Sequence, residues 1–256
     1  MKNTLFDLSG RSALVTGGSK GLGRAIATAF ASAGADLALA SRHEGELAAA
    51  ADAIRRQHHV RVEPIAADLY RREEVQRLAD AAVGRLGKID ILVNNAGTNV
   101  PQPIEQVRDE DWDRVLQLNL TSCMALTRAL VPGMRERRWG RIIHISSIMG
   151  LSSKEGRNSY SATKSALIGM TRASSLDLGP FGITVNCLAP GIFATELPMS
   201  LLSPEEQAQA AARTALGRWG QPDELAGPAL LLASEAGSYI TGSVLLVDGG
   251  LLCRAL

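Results

Sequence analysis

Hydrophobic residues along the chain follow two rhythms that take turns. Runs that are apolar nearly throughout stand at "SALVTG" (12–17), "DLALAS" (36–41), "VRVEPIA" (60–66), "IDILVNN" (89–95), "RIIHIS" (141–146), "ITVNCLA" (183–189) and "SVLLVDG" (243–249), and each predicts a β-strand. Between them, apolar residues at helical spacing predict helices over 22–33, 44–57, 71–86, 109–133, 158–178, 204–213 and 222–234. Strands apolar on both faces that alternate with helices imply a parallel sheet covered on both sides and wound with right-handed crossovers.

The last helix carries start signals, because Pro222 suits a first-turn position and Asp223 and Glu224 complement the positive end of the helix dipole. Residues 190–221, between the sixth and seventh strands, contain little more than one polar helix. A long excursion of that kind in a compact fold covers a site.

Length adds that one core is enough: 256 residues without a linker or low-complexity run read as a single domain, 1–256. Lys and Arg total 27 against 26 Asp and Glu, a formal charge of +1, so nothing electrostatic calls for a nucleic-acid or anionic-membrane partner. A small-molecule ligand is expected. Cys123, Cys187 and Cys253 are too far apart for a CxxC motif and fit a reducing compartment. The first residues hold no apolar export stretch and the longest apolar run, "ALLLA", is too short to span a bilayer, so the expectation is a cytoplasmic protein.

Candidate chemistry begins after the first strand, at "TGGSKGLGRAIA" (16–27). Glycines in such a turn admit positive φ and let backbone amides approach a pyrophosphate seated on the helix N-terminus. A merely tight strand-to-helix turn would look the same. Gly17 to Gly21 also spell the G-x-S-x-G elbow of serine hydrolases, but the late histidine which that triad needs is missing, since the last histidine is His144.

Tyr160 and Lys164 in "SYSATKSAL" are four apart on a predicted helix and share one face, and an ammonium favours the phenolate form of a nearby phenol. "IIHISS" brings Ser146 and Ser147 to a strand end thirteen residues before Tyr160, on the carboxyl edge where open α/β sheets bind ligands. The residues alone leave Ser147 equally readable as a turn or cap residue and Tyr160 as a half-buried packing residue. In "QLNLTS" (117–122), Asn119 is a polar residue on an otherwise apolar helical face, unfavourable there without a role.

Taken in order, Thr16-Gly17-x-x-x-Gly21-x-Gly23, Asp68, "NNAG" (94–97), Asn119, Ser147, Tyr160-x-x-x-Lys164 and Pro190-Gly191 give the chain a resemblance to the short-chain dehydrogenases/reductases over Ser12 to Gly250. The resemblance implies a Rossmann-type doubly wound sheet of seven parallel strands in the order 3-2-1-4-5-6-7. It implies that Tyr160 is the acid/base, that Ser147 polarises the substrate oxygen, and that Lys164 assists the phenol and holds the nicotinamide ribose. Asn119 would bend its helix around a water on the path from the lysine to solvent.

For the cofactor it implies Gly17, Ser19, Lys20, Gly21, Leu22 and Gly23 around the pyrophosphate, Asp68 and Leu69 at the adenine, and Asn95, Ala96 and Gly97 at the adenosine ribose. Pro190, Gly191, Ile192 and Thr195 would stand by the nicotinamide. By the residues alone, Asp68 could instead cap the next helix and "NNAG" could be only a strand-ending turn.

About twenty positions past the glycine turn, dinucleotide folds place an acid for the NAD ribose, whereas an arginine nearby accommodates the 2′-phosphate of NADP. Here Ser41 and Arg42 stand at that edge, and Lys20 is where NADP-preferring relatives often carry a second base. NADP(H) is therefore expected, and with it carbonyl reduction; a solvated Arg42 and Lys20 are the bland alternative. No metal is called for.

Residues 98–103, 148–158 and 192–220 should wall the substrate pocket, with Ser153, Lys154, Arg157 and Asn158 beside Met149, Leu197 and Met199. Similarity to gluconate 5-dehydrogenase-like members suggests a sugar acid; similarity to 3-oxoacyl-(acyl carrier protein) reductases suggests a 3-oxoacyl thioester. A non-catalytic NADP(H) sensor is the alternative of another class. A homotetramer built through 109–133, 158–178 and the seventh strand is the family expectation.

Overall fold

The computed structural model describes residues 4–253. Seven strands, β1 (Ser12–Thr16), β2 (Asp36–Ser41), β3 (Val62–Ala66), β4 (Ile91–Asn94), β5 (Gly140–Ile145), β6 (Ile183–Pro190) and β7 (Val244–Val247), form one sheet in the order β3-β2-β1-β4-β5-β6-β7. Every pairing is parallel. Period-2 alternation sends neighbouring strand residues to opposite cores. Ala13, Val15, Leu37, Leu39, Ile91 and Val93 pack beneath α1 (Gly21–Ser32), α2 (Glu44–Gln57) and the helix Pro222–Ala233, while Leu14, Ala38, Ala40 and Leu92 pack beneath α3 (Arg72–Leu86) and the helical segment Ser122–Arg137.

The order reverses between β1 and β4. Their carboxyl ends, with the glycine turn and "NNAG", therefore face each other across the switch point at which open α/β sheets bind ligands. Strand β7 closes the edge, and all four of its residues are partly exposed, unlike the interior strands β1, β4, β5 and β6.

Three expectations need correction. The single helix over 109–133 is two α-helical segments, α4 (Asp109–Leu116) and α5 (Ser122–Arg137), joined by a π turn, Gln117–Thr121. The excursion 190–221 holds two helices, α7 (Glu196–Leu201) and α8 (Pro204–Ala212), before α9 (Pro222–Ala233). The shorter one carries no periodic apolar stripe by which to recognise it. Strand β5 ends at Ile145, so Ser146 and Ser147 stand just beyond it. The side chain of Leu197 lies outside the described residues.

The long helix α6 (Asn158–Leu178) follows β5. Among the described residues no helix is long and apolar enough to cross a membrane.

Candidate active site

Thr16, the last residue of β1, organises the switch point. Its Oγ1 accepts hydrogen bonds from the amides of Asn95 (2.9 Å) and Ala96 (3.0 Å), and the Asn95 Nδ2 donates to the carbonyls of Thr16 (2.8 Å) and Gly17 (3.3 Å). The two loops thus hold each other. Gly17 takes φ +66°, which favours glycine, and a Cβ on Gly23 would stand 2.3 Å from the Gly17 carbonyl oxygen. No side chain fits at Gly23, so α1 starts directly against the turn. Its cap residue, Lys20, gives no side-chain hydrogen bond to the first amides, and uncapped amides at a helix N-terminus suit an anion.

"NNAG" is therefore both a strand-ending turn and a brace for the glycine loop. Asp68 does not cap α3; its Oδ1 accepts from the Tyr70 amide (3.2 Å), and the cap position belongs to Arg71. Leu69 is buried, and its carbonyl accepts from Gln117 Nε2 (3.2 Å). The β2 tip is tied to this turn by the Ala67 amide donating to the Ser41 carbonyl (3.0 Å).

Lys164 is 4% exposed, and its ammonium is anchored: Nζ donates one of its three hydrogen bonds to the carbonyl of Ile145 (2.7 Å), the last residue of β5. The helix is docked beside it, because Ser146 Oγ donates to the Lys164 carbonyl (2.8 Å) and Ser165 Oγ to the Gly150 carbonyl (2.9 Å). Gly150 permits this approach, since a Cβ there would lie 2.8 Å from the Lys164 carbonyl oxygen. Across the same helix face, the Tyr160 ring centre is 5.5 Å from the Lys164 ammonium, and Tyr160 is half-buried. Ser147 Oγ accepts from the Met149 amide (3.1 Å), so it does cap a short turn, Ile148–Gly150. That bond uses an acceptor lone pair and leaves the hydroxyl proton to donate.

Asn119 sits in the π turn and is fully buried. Its Oδ1 accepts from the Thr98 amide (2.8 Å), and its Nδ2 donates to the Thr98 carbonyl (2.8 Å) and to Thr163 Oγ1 (3.2 Å). Carbonyls of the π turn also take side-chain donors: Ser122 Oγ on Leu118 (2.6 Å) and Cys123 Sγ on Asn119 (3.3 Å). Losing the asparagine would leave the partly buried backbone groups of Thr98 without this partner, at up to about 1–3 kcal/mol each where water cannot replace it. A Cβ at Gly97 would stand 3.5 Å from Lys164 Nζ and 3.4 Å from Asn119 Oδ1, so the loop after β4, Asn119 and Lys164 meet at one point.

Behind Lys164, burial and then the lysine's own charge lower His144 to about 4. The imidazole is neutral and pairs through Nδ1 with Asn94 Nδ2 (3.1 Å).

Excursion 190–221 is pinned at its base, where the Gly220 amide donates to the Ile192 carbonyl (3.0 Å) and the Ala194 amide to the Gly220 carbonyl (2.8 Å). Gly191 is packed on Asp248, and Thr195 reaches across to the glycine turn, 3.4 Å from a Cβ placed on Gly21. The expected pocket walls are joined: Gln102 N donates to the Gly156 carbonyl (3.0 Å), and Asn158 Nδ2 donates to the Gln102 carbonyl (3.0 Å). Asn158 is thereby committed to the wall.

At the β2 tip, Ser41 is half-buried and Arg42 exposed. Lys20 points at two carboxylates, Glu46 (3.6 Å) and Glu196 (3.8 Å), a pairing that sequence reasoning did not anticipate because Glu196 belongs to the excursion. Also missed were Thr98, which clamps Asn119 through its main chain and so leaves no side-chain signature, and Tyr70.

A family model described as enoyl-(acyl carrier protein) reductase, adh_short_C2, matches residues 17–252. The chain is similar to the 3-oxoacyl-(acyl-carrier-protein) reductase FabG of Aquifex aeolicus, 36% identical over 244 residues, covering 95% of this chain and 98% of the relative. Gluconate 5-dehydrogenase of Gluconobacter oxydans is 36% identical over 248 residues, 96% of each chain. Among solved structures, a gluconate 5-dehydrogenase from Burkholderia cenocepacia in complex with NADP and tartrate superposes with a TM-score of 0.92 at 35% identity, covering 98% of this chain and 99% of that one.

Proposed function

Since the chain belongs to the short-chain dehydrogenase/reductase family, we propose that it is an NADP(H)-dependent oxidoreductase that interconverts a secondary alcohol and a ketone. The observation that supports this reading is that Lys164 and Asn119 meet at the loop after β4, with Tyr160 on the same helix face as Lys164 and Ser147 two residues past the carbonyl that anchors Lys164, beside a glycine turn packed too tightly for any side chain at Gly23.

The residues fit the cofactor. Backbone amides at the start of α1 suit its pyrophosphate, the β2 tip carries Arg42 where a carboxylate would repel a 2′-phosphate, and the relative of known structure binds NADP. Bound there, the nicotinamide supplies hydride. The chain's own residues supply the rest. Tyr160 gives its hydroxyl proton to the carbonyl oxygen in reduction and takes it back in oxidation. Ser147 Oγ donates a hydrogen bond to the same oxygen. Lys164, anchored on the Ile145 carbonyl, places positive charge next to the developing phenolate, and the Asn119 clamp keeps the π turn open beside it.

Residues 192–220 cover the substrate, and a sugar acid is the favoured class, in keeping with gluconate 5-dehydrogenase relatives and with half-buried Arg157 on the 148–158 wall. The second reading is reduction of a 3-oxoacyl thioester, favoured by the FabG relatives. Assembly is a homotetramer through α5, α6 and β7. A groove of about 630 Å³ between the two helices, lined by Met124, Val131, Pro132 and Met170, supports that assembly, as does the 79% exposure of Leu176.

The deciding experiment follows NADPH absorbance with 5-ketogluconate, an acetoacetyl thioester and simple cyclic diketones. Oxidation of NADPH by at least one of them, abolished by Tyr160→Phe, is the expected result. No oxidation above the Tyr160→Phe control across the panel would support a non-catalytic NADP(H) sensor instead.

A further inference from the structure

We propose that Tyr70 and Arg114 complete, together with Arg42, a two-guanidinium site for the 2′-phosphate of the cofactor. The inference rests on the NADP(H) reading above and extends it to two residues that no glycine-turn or strand-tip rule singles out.

Arg42 follows β2 and Arg114 lies in α4, yet both gather on one ring: their Cζ atoms are 5.0 Å and 4.6 Å from the centre of Tyr70. Neither forms an ion pair among the described residues, although the Arg114 charge is felt by Asp111 three residues earlier on α4. Arg55, Arg71, Arg77 and Arg108, on the neighbouring elements, each carry a carboxylate partner within 2.9 Å. Among the described residues neither Arg42 nor Arg114 has one within ion-pair distance. The face of a tyrosine ring attracts a guanidinium and holds its plane in one orientation, while two like charges at one ring repel each other. An anion that reached both would relieve that repulsion, and a phosphate monoester supplies close to two negative charges and three oxygens.

The platform is placed where such an ester would come. Tyr70 N donates to Asp68 Oδ1, the Leu69 carbonyl is held by Gln117 of the π turn, and the Ala67 amide is bonded to Ser41, the residue beside Arg42. Tyr70 is thus a positioning residue fixed to the β2 tip on one side and to the α4 segment on the other. Arg42 and Arg114 are the groups that would touch phosphate, each through a planar fork of donors.

The test is calorimetric binding of 2′,5′-ADP and of 5′-AMP to the purified chain, which requires no turnover. Wild-type protein should favour 2′,5′-ADP. Arg114→Gln should weaken 2′,5′-ADP about tenfold while leaving 5′-AMP within about twofold, since only a charged hydrogen bond to the extra phosphate is lost. Tyr70→Ala should weaken it about threefold to fivefold, and Tyr70→Phe, which keeps the ring face, should restore wild-type binding. Binding of 5′-AMP reports in each variant that the domain is folded. A 2′,5′-ADP preference that survives both Arg114→Gln and Tyr70→Ala overturns the inference and leaves the NADP(H) reading intact. Equal weakening of both nucleotides also overturns it, assigning Tyr70 to adenine packing. A wild-type protein with no preference between the two overturns the NADP(H) reading itself.

Discussion

The two ends of the sheet's carboxyl edge are built by opposite means. Under β4–β6, the polar groups are buried and tied to main chain: Lys164 to the Ile145 carbonyl, Asn119 to both backbone groups of Thr98, and Ser146 to the Lys164 carbonyl. At the β2 tip and in the glycine turn after β1, Arg42 and Lys20 are exposed and are held respectively by a ring face and by carboxylates at 3.6 and 3.8 Å. A buried group bonded to backbone cannot shift without disturbing the fold, so its geometry is fixed when the chain folds. An exposed side chain held by another side chain is adjustable by single substitutions. On the function proposed above, reaction chemistry would belong to the first kind of place and cofactor choice to the second.

This contrast can be broken in order of effect size. Tyr160→Phe should lower kcat about a hundredfold to ten-thousandfold with NADPH affinity within about twofold, measured by steady-state rates and fluorescence titration. A comparable loss of affinity would mean that the buried end does not separate chemistry from binding.

The second prediction concerns pH. His144 sits near 4 when folded and near 6.5 when unfolded, because burial, and after it the Lys164 charge, disfavours its protonated form. Between those values the unfolded chain binds a proton that the folded chain refuses. Its contribution is therefore harmless above about pH 6.5 and costs stability progressively as pH falls towards 4, approaching about 3 kcal/mol. Urea unfolding of wild-type and His144→Gln protein at pH 7 and pH 4.5 should show a smaller acid-dependent loss in the variant; parallel losses would remove His144 from the account.

At the exposed end the effects are smaller and confined to cofactor. Arg42→Ala should reduce kcat/KM for NADPH about tenfold and leave NADH nearly unchanged, with no change in Tm. Survival of the NADPH preference would dismiss Arg42 as a discriminator. The smallest effect is expected from Glu46→Gln, which frees Lys20 of one competitor in an exposed pair and should tighten NADPH by less than about fivefold. Weaker binding would show that Glu46 serves to hold Lys20 in place.

Legibility in the sequence follows the same division. The number of strands could be read because buried parallel strands must be apolar throughout, whereas their order came only from the family resemblance; Tyr160 and Lys164 could be placed on one helix face by their spacing, and Ser147 at a strand end, while their roles again came from the resemblance. Asn119 was visible as a polar residue on an apolar face, but its clamp was not, since Thr98 contributes only main chain. The π turn was hidden because residues 109–133 keep helical periodicity on either side of it. Tyr70 with Arg114, and Lys20 with Glu196, are contacts between segments distant in sequence, and only the winding of the sheet brings them together.

The π turn at Gln117–Thr121 can be put as a matter of counting. There the Ser122 amide bonds back to the Gln117 carbonyl, five residues earlier, so the stretch from Asp109 to Arg137 carries one residue more than a regular α-helix of the same span would use. Removing one residue from that turn would let the helix run straight, and everything on one side of the cut would rotate by about 100° relative to the other. The shorter chain would have the more regular helix, and Asn119 would be turned away from Thr98. Here regularity and a working site compete for a single residue.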